Sequence, residues 1–290
     1  MSLFSSYIGR AYILISTLFS LFIIFLFMIV LTLHSWDAIS QVGWQLFTLE
    51  WHPDTGHFGI LSMLYGSAMV TFIALIIAVP LGFFAAIYIA EILAPCYRIY
   101  IKTLLEILAG IPSIIYGLIG VALLSVWIGD LFTLQSGRTL LCAGILLGIM
   151  VLPTIITLTD DALRCVPNQY REAATGLGLY PYEVIKNGIL PIAKGGIIGA
   201  ILLAFGRALG ETMAVMLVIG SIDKIPTPFF NVLVAGQTMT AKLGREIAET
   251  SFASVHFSAL VFMGLLLLLI VLSLTSLSLF YFKTESRLYD

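Results

Sequence analysis

Five stretches of this chain run for 21 residues or more without an Asp, Glu, Lys or Arg: Ala11–Leu33, Gly59–Ala90, Ile107–Ile128, Thr139–Thr159 and Ser258–Phe282. A sixth, Gly195–Ile222, is interrupted only by Arg207 and Glu211. About 20 apolar residues in a helix cross the ~30 Å hydrocarbon layer of a bilayer. Helices satisfy their own backbone groups there, whereas open, irregular chain does not. The expected fold is therefore an all-α integral membrane protein with six transmembrane helices. Composition agrees: 60% of the 290 residues are hydrophobic and 10% charged, with a mean hydropathy of +1.08. A soluble domain of this length could not hide so much apolar surface. The net charge of −2 says nothing about nucleic acid, and no basic block exists to bind one, so nucleic acid is not an expected partner.

The second run, 32 residues, would be roughly 48 Å long as one helix. It is expected to tilt or project, with a kink at Pro80. Ala11–Leu33 is too long for a signal-peptide core and reads as a retained helix. With the amino terminus inside, the inner segments carry Arg10, Arg98, Lys102, Arg164, Arg171, Lys186, Lys194, Lys283 and Arg287. The outer ones carry Arg138, Lys224, Lys242 and Arg245, so nine cations face four. The positive-inside rule then puts both termini in the cytoplasm. Residues 1–58 read as a first helix with its external loop, and 59–290 as the main transmembrane domain.

Arg207 and Glu211 are the charges that need a reason. A charge in hydrocarbon costs at least a few kcal/mol and is normally paired, facing protein or water. At i,i+4 on one helix the two heads would share a face and neutralise each other. One reading is a polar route for an anion, with Arg207 as the contact, Glu211 as its compensation and Thr212 adding a hydroxyl. A guanidinium suits this because it binds two oxygens of an oxyanion at once. The other reading is a structural ion pair that locks the fifth helix into the bundle.

The inner loop, about 160–194, contains Tyr170-Arg171-Glu172-Ala173-Ala174-Thr175-Gly176-Leu177-Gly178. Pro167 can open a short helix here, and Gly176 or Gly178 can close it. Small side chains on one face would let that helix seat in a groove of a partner. From propensity alone, a solvated connecting helix is the favoured reading, because short capped helices between spans are common. The stretch resembles the EAA loop of ABC-type importer permeases, with Glu172, Ala173, Ala174, Gly178, Leu190 and Pro191 at the expected offsets. Gly188 departs from that pattern, standing where isoleucine is usual. Gly206-Arg207-Ala208-Leu209-Gly210-Glu211-Thr212-Met213-Ala214-Val215 is similar to the corresponding segment of phosphate importer permeases of the PstC type.

The resemblance implies a type I ABC importer permease fold in a bacterial inner membrane. It implies that the 160–194 loop couples to a cytoplasmic ATPase dimer through Arg171, Glu172, Ala173, Ala174 and Gly178. It also implies a second, PstA-type permease subunit, an external phosphate-binding protein and phosphate as cargo. The chain has no G-x-x-x-x-G-K-[ST] phosphate loop, so ATP and Mg are expected on the partner ATPase, with no cofactor and no metal here. It is read as a transport subunit and not as an enzyme. The alternatives are a permease for sulfate or molybdate, and a membrane sensor or scaffold coupled to phosphate signalling.

The remaining features read as structural. Cys96, Cys142 and Cys165 show neither metal-ligand spacing nor a disulfide pattern. His34, His52, His57 and His256 read as surface or interfacial. Trp36, Trp44, Trp51 and Trp127 read as interfacial anchors. Pro80, Pro112 and Pro153 read as kinks within spans, and Gly110 and Gly117 as close-packing positions. Within the outer loop 223–257, Val232–Ala241 is too short to span and reads as a re-entrant or interfacial piece.

Overall fold

The computed structural model describes residues 2–252 and 254–286. Arg287, one of the cations counted above on the inner side, lies outside the described residues. Among those described, six helical spans are long and apolar enough to cross a membrane: Tyr12–Gln41, Leu61–Ile92, Ser113–Leu131, Leu140–Arg164, Pro181–Gly210 and Val255–Ser276. Expectation and structure agree on the number of spans and differ at their ends.

In chain order, α1 (Ser2–Gln41) leads through a short 3-10 turn into a two-residue hairpin, β1 (Trp51–His52) with β2 (His57–Phe58). Next is α2 (Leu61–Ile87), extended by a π turn, Tyr88–Ile92. Pro80 lies inside α2. Then come α3 (Pro95–Gly110), α4 (Ser113–Ile119) with a π turn at Gly120–Leu124, α5 (Ser125–Leu131) and α6 (Leu140–Arg164). The loop beyond α6 holds α7 (Asn168–Gly176) and α8 (Pro181–Glu183). Finally a π turn, Val184–Ile189, feeds α9 (Leu190–Gly210), followed by α10 (Met213–Val218), α11 (Met239–Glu246) and α12 (Val255–Ser286).

The core is built on α2 and α6. On α2 the residues Gly66, Val70, Ala74, Ala78, Gly82 and Ala86 repeat every four positions and all are buried. This stripe of mostly small residues lets a neighbouring backbone come close, the usual solution in lipid, where apolar burial alone does not drive helices together. A Cβ on Gly82 would meet Ile155 Cγ2 at 2.7 Å, and one on Gly144 of α6 would meet Ile73 Cγ2 at 2.5 Å. By contrast α1 leaves most of its described side chains exposed, as in Phe19, Phe22 and Phe25, and pairs with α12.

Two expected spans are broken. Ile107–Ile128 is not one helix: α3 ends at Gly110, and Pro112, with ψ at 135°, precedes the first residue of α4. Proline offers no N–H and disfavours helix in the residue before it, so Ile111 is extended and the chain restarts at Ser113. Pro112 thus separates two helices and does not kink one. Gly117 is a packing position, since a Cβ there would stand 3.0 Å from Ala214 Cα, whereas Gly110 has nothing within 4 Å. The fifth run, Gly195–Ile222, is broken after Gly210.

The middle of the outer loop is interior. Gln237, Thr238, Met239, Thr240, Ala241 and Lys242 are all buried. A Cβ on Gly66 would fall 1.9 Å from the Gln237 carbonyl, so α2 has room for this segment only because residue 66 lacks a side chain. Leu140 and Leu141 donate their N–H groups to the carbonyls of Val234 and Val232, satisfying donors that the first turn of α6 would otherwise leave unpaired. The segment therefore packs into the bundle, against α2 and the first turn of α6.

Candidate functional site

At one end of the bundle, α7 is held by its own caps and by one arginine. Pro167 precedes its first residue and Gly178, at φ 78°, follows its last turn. Gly178 N–H donates to the Thr175 carbonyl at 2.9 Å and Leu179 N–H to the Ala174 carbonyl at 3.3 Å. This is a Schellman closure, for which a left-handed glycine is the ordinary residue. Ala174 faces inward, in a cluster with Val166, Val184 and Ile189. Glu172 and Ala173 are exposed, as are Thr175 and Leu177 beside them.

Arg171 turns inward. Its Nη2 donates to Glu91 Oε1 at 2.7 Å and to the Leu163 carbonyl at 2.9 Å, while Nη1 reaches the Val166 carbonyl at 2.6 Å. Nε adds a 3.3 Å bond to Glu91 Oε2. The guanidinium therefore caps the end of α6 and grips the π turn after α2, so it positions α7 from within. From the other side, Arg98 donates to the carbonyls of Ile89, Ala90 and Leu93 in and after that π turn. Lys102 of α3 bridges Asp160 at 3.1 Å and Asp161 at 2.6 Å. The Asp161 hydrogen bond is the chief reason that Lys102 stays protonated above its ordinary pKa of 10.5.

The second candidate group lies where the fifth span breaks. Arg207 is in the last turn of α9, but Glu211 is already extended, at φ −70° and ψ 124°. The expected i,i+4 neutralisation is corrected by this break: the two residues do not share a helix, and no ion pair joins them among the described residues. Arg207 is exposed on the surface of this chain, and its Nη1 donates to Thr154 Oγ1 of α6 at 2.7 Å. Glu211 turns to the next helix, where its Oε1 accepts from Ala214 N–H at 3.3 Å. A carboxylate over the first turn of a helix suits the partial positive charge there. Thr212 Oγ1 donates to the Gly210 carbonyl at 3.3 Å, and the Glu211 carbonyl accepts from Thr240 Oγ1 at 2.9 Å. The break is thus stitched to the buried outer-loop segment. It leaves one permanent cation exposed, bonded to Thr154 of α6.

The opposite end carries polar chemistry that residue types alone did not reveal. Lys242 is buried, and its ammonium pairs with Asp223 at 2.5 Å and Glu246 at 2.6 Å. Glu246 also meets His256 Nε2 at 3.0 Å and accepts from Trp51 Nε1 at 3.2 Å. Trp51 is only 4% exposed, so it is a core residue and not an interfacial anchor, and His256 belongs to this buried network. Trp36, Trp44 and Trp127 are exposed, as anchors are. The one sequence signal for the network was the i,i+4 spacing of Lys242 and Glu246.

The chain as a whole is similar to known proteins. Residues 78–283 match the family described as binding-protein-dependent transport system inner membrane component. A phosphate transport system permease protein PstC from Mesorhizobium japonicum is 37% identical over 81% of this chain and 77% of its own length. One from Pasteurella multocida is 35% identical over 90% and 87%. A probable ABC transporter permease protein, YqgH, of Bacillus subtilis is 33% identical over 80% and 74%. Among solved structures, the MetNI methionine ABC transporter in an inward-facing conformation aligns with a TM-score of 0.57 at 16% identity, covering 78% of this chain and 94% of that one. An amino acid ABC transporter aligns at 0.54 and 16%, covering 78% and 92%. The fold is that of ABC importer permeases, and the chain belongs to the family of binding-protein-dependent transport system inner membrane components.

Proposed function

We propose that this chain is a permease subunit of an ATP-driven importer and carries inorganic phosphate across a bacterial inner membrane. The observation that carries the reading is Arg207, a permanent cation at the break in the fifth span, bonded to a neutral threonine and facing out of this chain. Phosphate carries one to two negative charges and several acceptor oxygens, which a planar guanidinium can bind in pairs. Thr154 holds the guanidinium in place, and Thr212, at the break two residues beyond Gly210, is proposed to add a hydroxyl contact. Glu211 lies close along the chain without neutralising Arg207, so it tempers the anion's affinity without occupying the site. The relatives named for phosphate transport support the choice of anion.

Because Arg207 faces outward, the pathway is completed by a second subunit, for which a PstA-type permease is the proposed partner. An external binding protein delivers the anion. The exposed Glu172 and Ala173 face of α7 docks on a cytoplasmic ATPase dimer, where ATP and Mg belong. On this reading both termini lie in the cytoplasm.

The test is uptake of labelled phosphate by vesicles holding the reconstituted complex with its binding protein and ATP inside. The expected result is ATP-dependent accumulation that excess sulfate or molybdate does not reduce. Competition by either anion would reassign the cargo. A complex that assembles but moves no anion would leave the sensor reading in its place.

A further inference from the structure

The end of the bundle opposite α7 holds a cavity of about 760 Å3, lined in part by Arg138, Arg245, Gly220, Ser221, Met216 and Ala122. No carboxylate lines it. Neither arginine forms an ion pair among the described residues. Two permanent cations in one recess repel each other and favour whatever anion enters. The nearby acids are turned away: Glu246, next to Arg245 in sequence, is committed to Lys242 and His256, and Asp223 to Lys242. Lys242 thus neutralises the carboxylates that would otherwise silence the recess.

The floor of the cavity is built with some strain. Gly220 and Ser221 have φ of 90° and 64°, left-handed values that serine adopts rarely. They are held by a bridge in which Gly236 N–H donates to the Ile219 carbonyl and Ile222 N–H to the Gly236 carbonyl, at 3.0 and 3.1 Å. Arg245 Nη2 also donates to Ser221 Oγ, so one guanidinium is oriented before any ligand arrives. Backbone outliers kept by such over-determination concentrate at binding sites.

We infer that this recess is an anion-receiving station ahead of Arg207, taking a small inorganic oxyanion such as phosphate between Arg138 and Arg245. Its inner wall is α10, a helix of six residues, about 9 Å long. At the far end of α10, a Cβ on Gly244 would stand 2.7 Å from Thr212 Cγ2, so this wall of the recess abuts the break. Thr212 joins this wall to the chain that carries Arg207, so an anion leaving the recess would meet Thr212 and then Arg207. The existence of the station stands on the cavity, and only its place in the traffic rests on the transport reading above.

The test needs no transport. In the assembled complex, with the exposed Cys96 and Cys165 changed to serine, Ala122→Cys places a thiol in the recess. Its reaction rates with an anionic and a cationic methanethiosulfonate then report the local potential. The anionic reagent is expected to react about tenfold faster than the cationic one. Inorganic phosphate should slow it, Arg138→Gln and Arg245→Gln should each reduce the ratio, and the double variant should bring it near one. The single variants keep the test decisive should the double variant not assemble. A ratio near one in the starting protein, or rates indifferent to phosphate, would overturn the station even if vesicle uptake were intact. A phosphate-sensitive ratio in a complex that transports nothing would keep the station and remove the transport reading.

Discussion

Arg171 grips both carboxylate oxygens of Glu91, at 2.7 and 3.3 Å, across 80 positions of sequence. The helix that presents Glu172 and Ala173 is therefore fastened to the end of α2, the helix at the centre of the core. A push on α7 reaches α2 through this pair and reaches α6 through the Leu163 and Val166 carbonyls that the same guanidinium caps. Both side chains are mostly withdrawn from solvent, 22% and 11% exposed.

Arg171→Gln and Glu91→Gln should each destabilise the protein by about 2 kcal/mol, because each leaves a half-buried group without its partner. Thermal unfolding of the detergent-solubilised chain measures this. The double variant should cost little more than either single one, as expected for one shared interaction. Additive losses would show that the two residues act separately.

Substitution of Arg207 tests the pathway. With Arg207→Gln in a complex that assembles and hydrolyses ATP, phosphate uptake should fall about 10- to 100-fold, the worth of one charge-assisted hydrogen-bonded contact. Arg207→Lys should recover part of it, since the charge returns without the planar fork. Uptake equal to wild type in the glutamine variant would remove Arg207 from the route.

On the exposed face of α7, Glu172→Lys reverses a charge that no described ion pair uses. Stability should be unchanged, while affinity for the ATPase subunit falls about tenfold, within the range for a reversed interface charge. Co-purification at the wild-type ratio would argue that α7 is a solvated connector.

Gly82→Leu should prevent α2 and α6 from closing, because even a Cβ there would stand 2.7 Å from Ile155 Cγ2. Overpacking of this kind costs roughly 1–3 kcal/mol or more. The check is the yield of monodisperse protein, compared with Gly176→Leu, whose position has nothing within 4 Å.

The Lys102 bridge to Asp160 and Asp161 carries a pH signature. Its pKa lies above 10.5 in the folded protein, so its stabilisation is complete below that value and is lost as pH rises through the raised one. The melting difference between the wild type and Lys102→Met should be flat from about pH 6 to about pH 9 and shrink only beyond the ordinary lysine value. A difference that already varied near neutrality would point to another titrating group.

The six spans were legible because a bilayer demands about twenty apolar residues at a time, and that demand is written directly in composition. The α7 helix was legible too, since Pro167 and Gly178 are local signals whose meaning does not depend on distant contacts. What the sequence hid were the breaks and the long-range pairs. Long, mostly apolar runs mask the stop at Pro112 and the stop after Gly210, because length and hydropathy read straight across both. Arg171 resembles a surface charge until Glu91, 80 positions earlier, is brought beside it. The path of 232–246 into the bundle depends on Gly66 being bare, a fact about a different helix. Arg138 and Arg245 are 107 positions apart and meet only through a shared recess.

The interruption after Gly210 changes what the distance between Arg207 and Glu211 means. Along an unbroken rod that spacing would be a constant. Here the arginine is moored to α6 through Thr154, and the backbone at Glu211 is moored to α11 through Thr240. Any lean of α9 against α11 lengthens or shortens the gap between the opposite charges. On the transport reading proposed above, the electrostatic pull on a passing anion becomes a quantity the protein can adjust by posture alone.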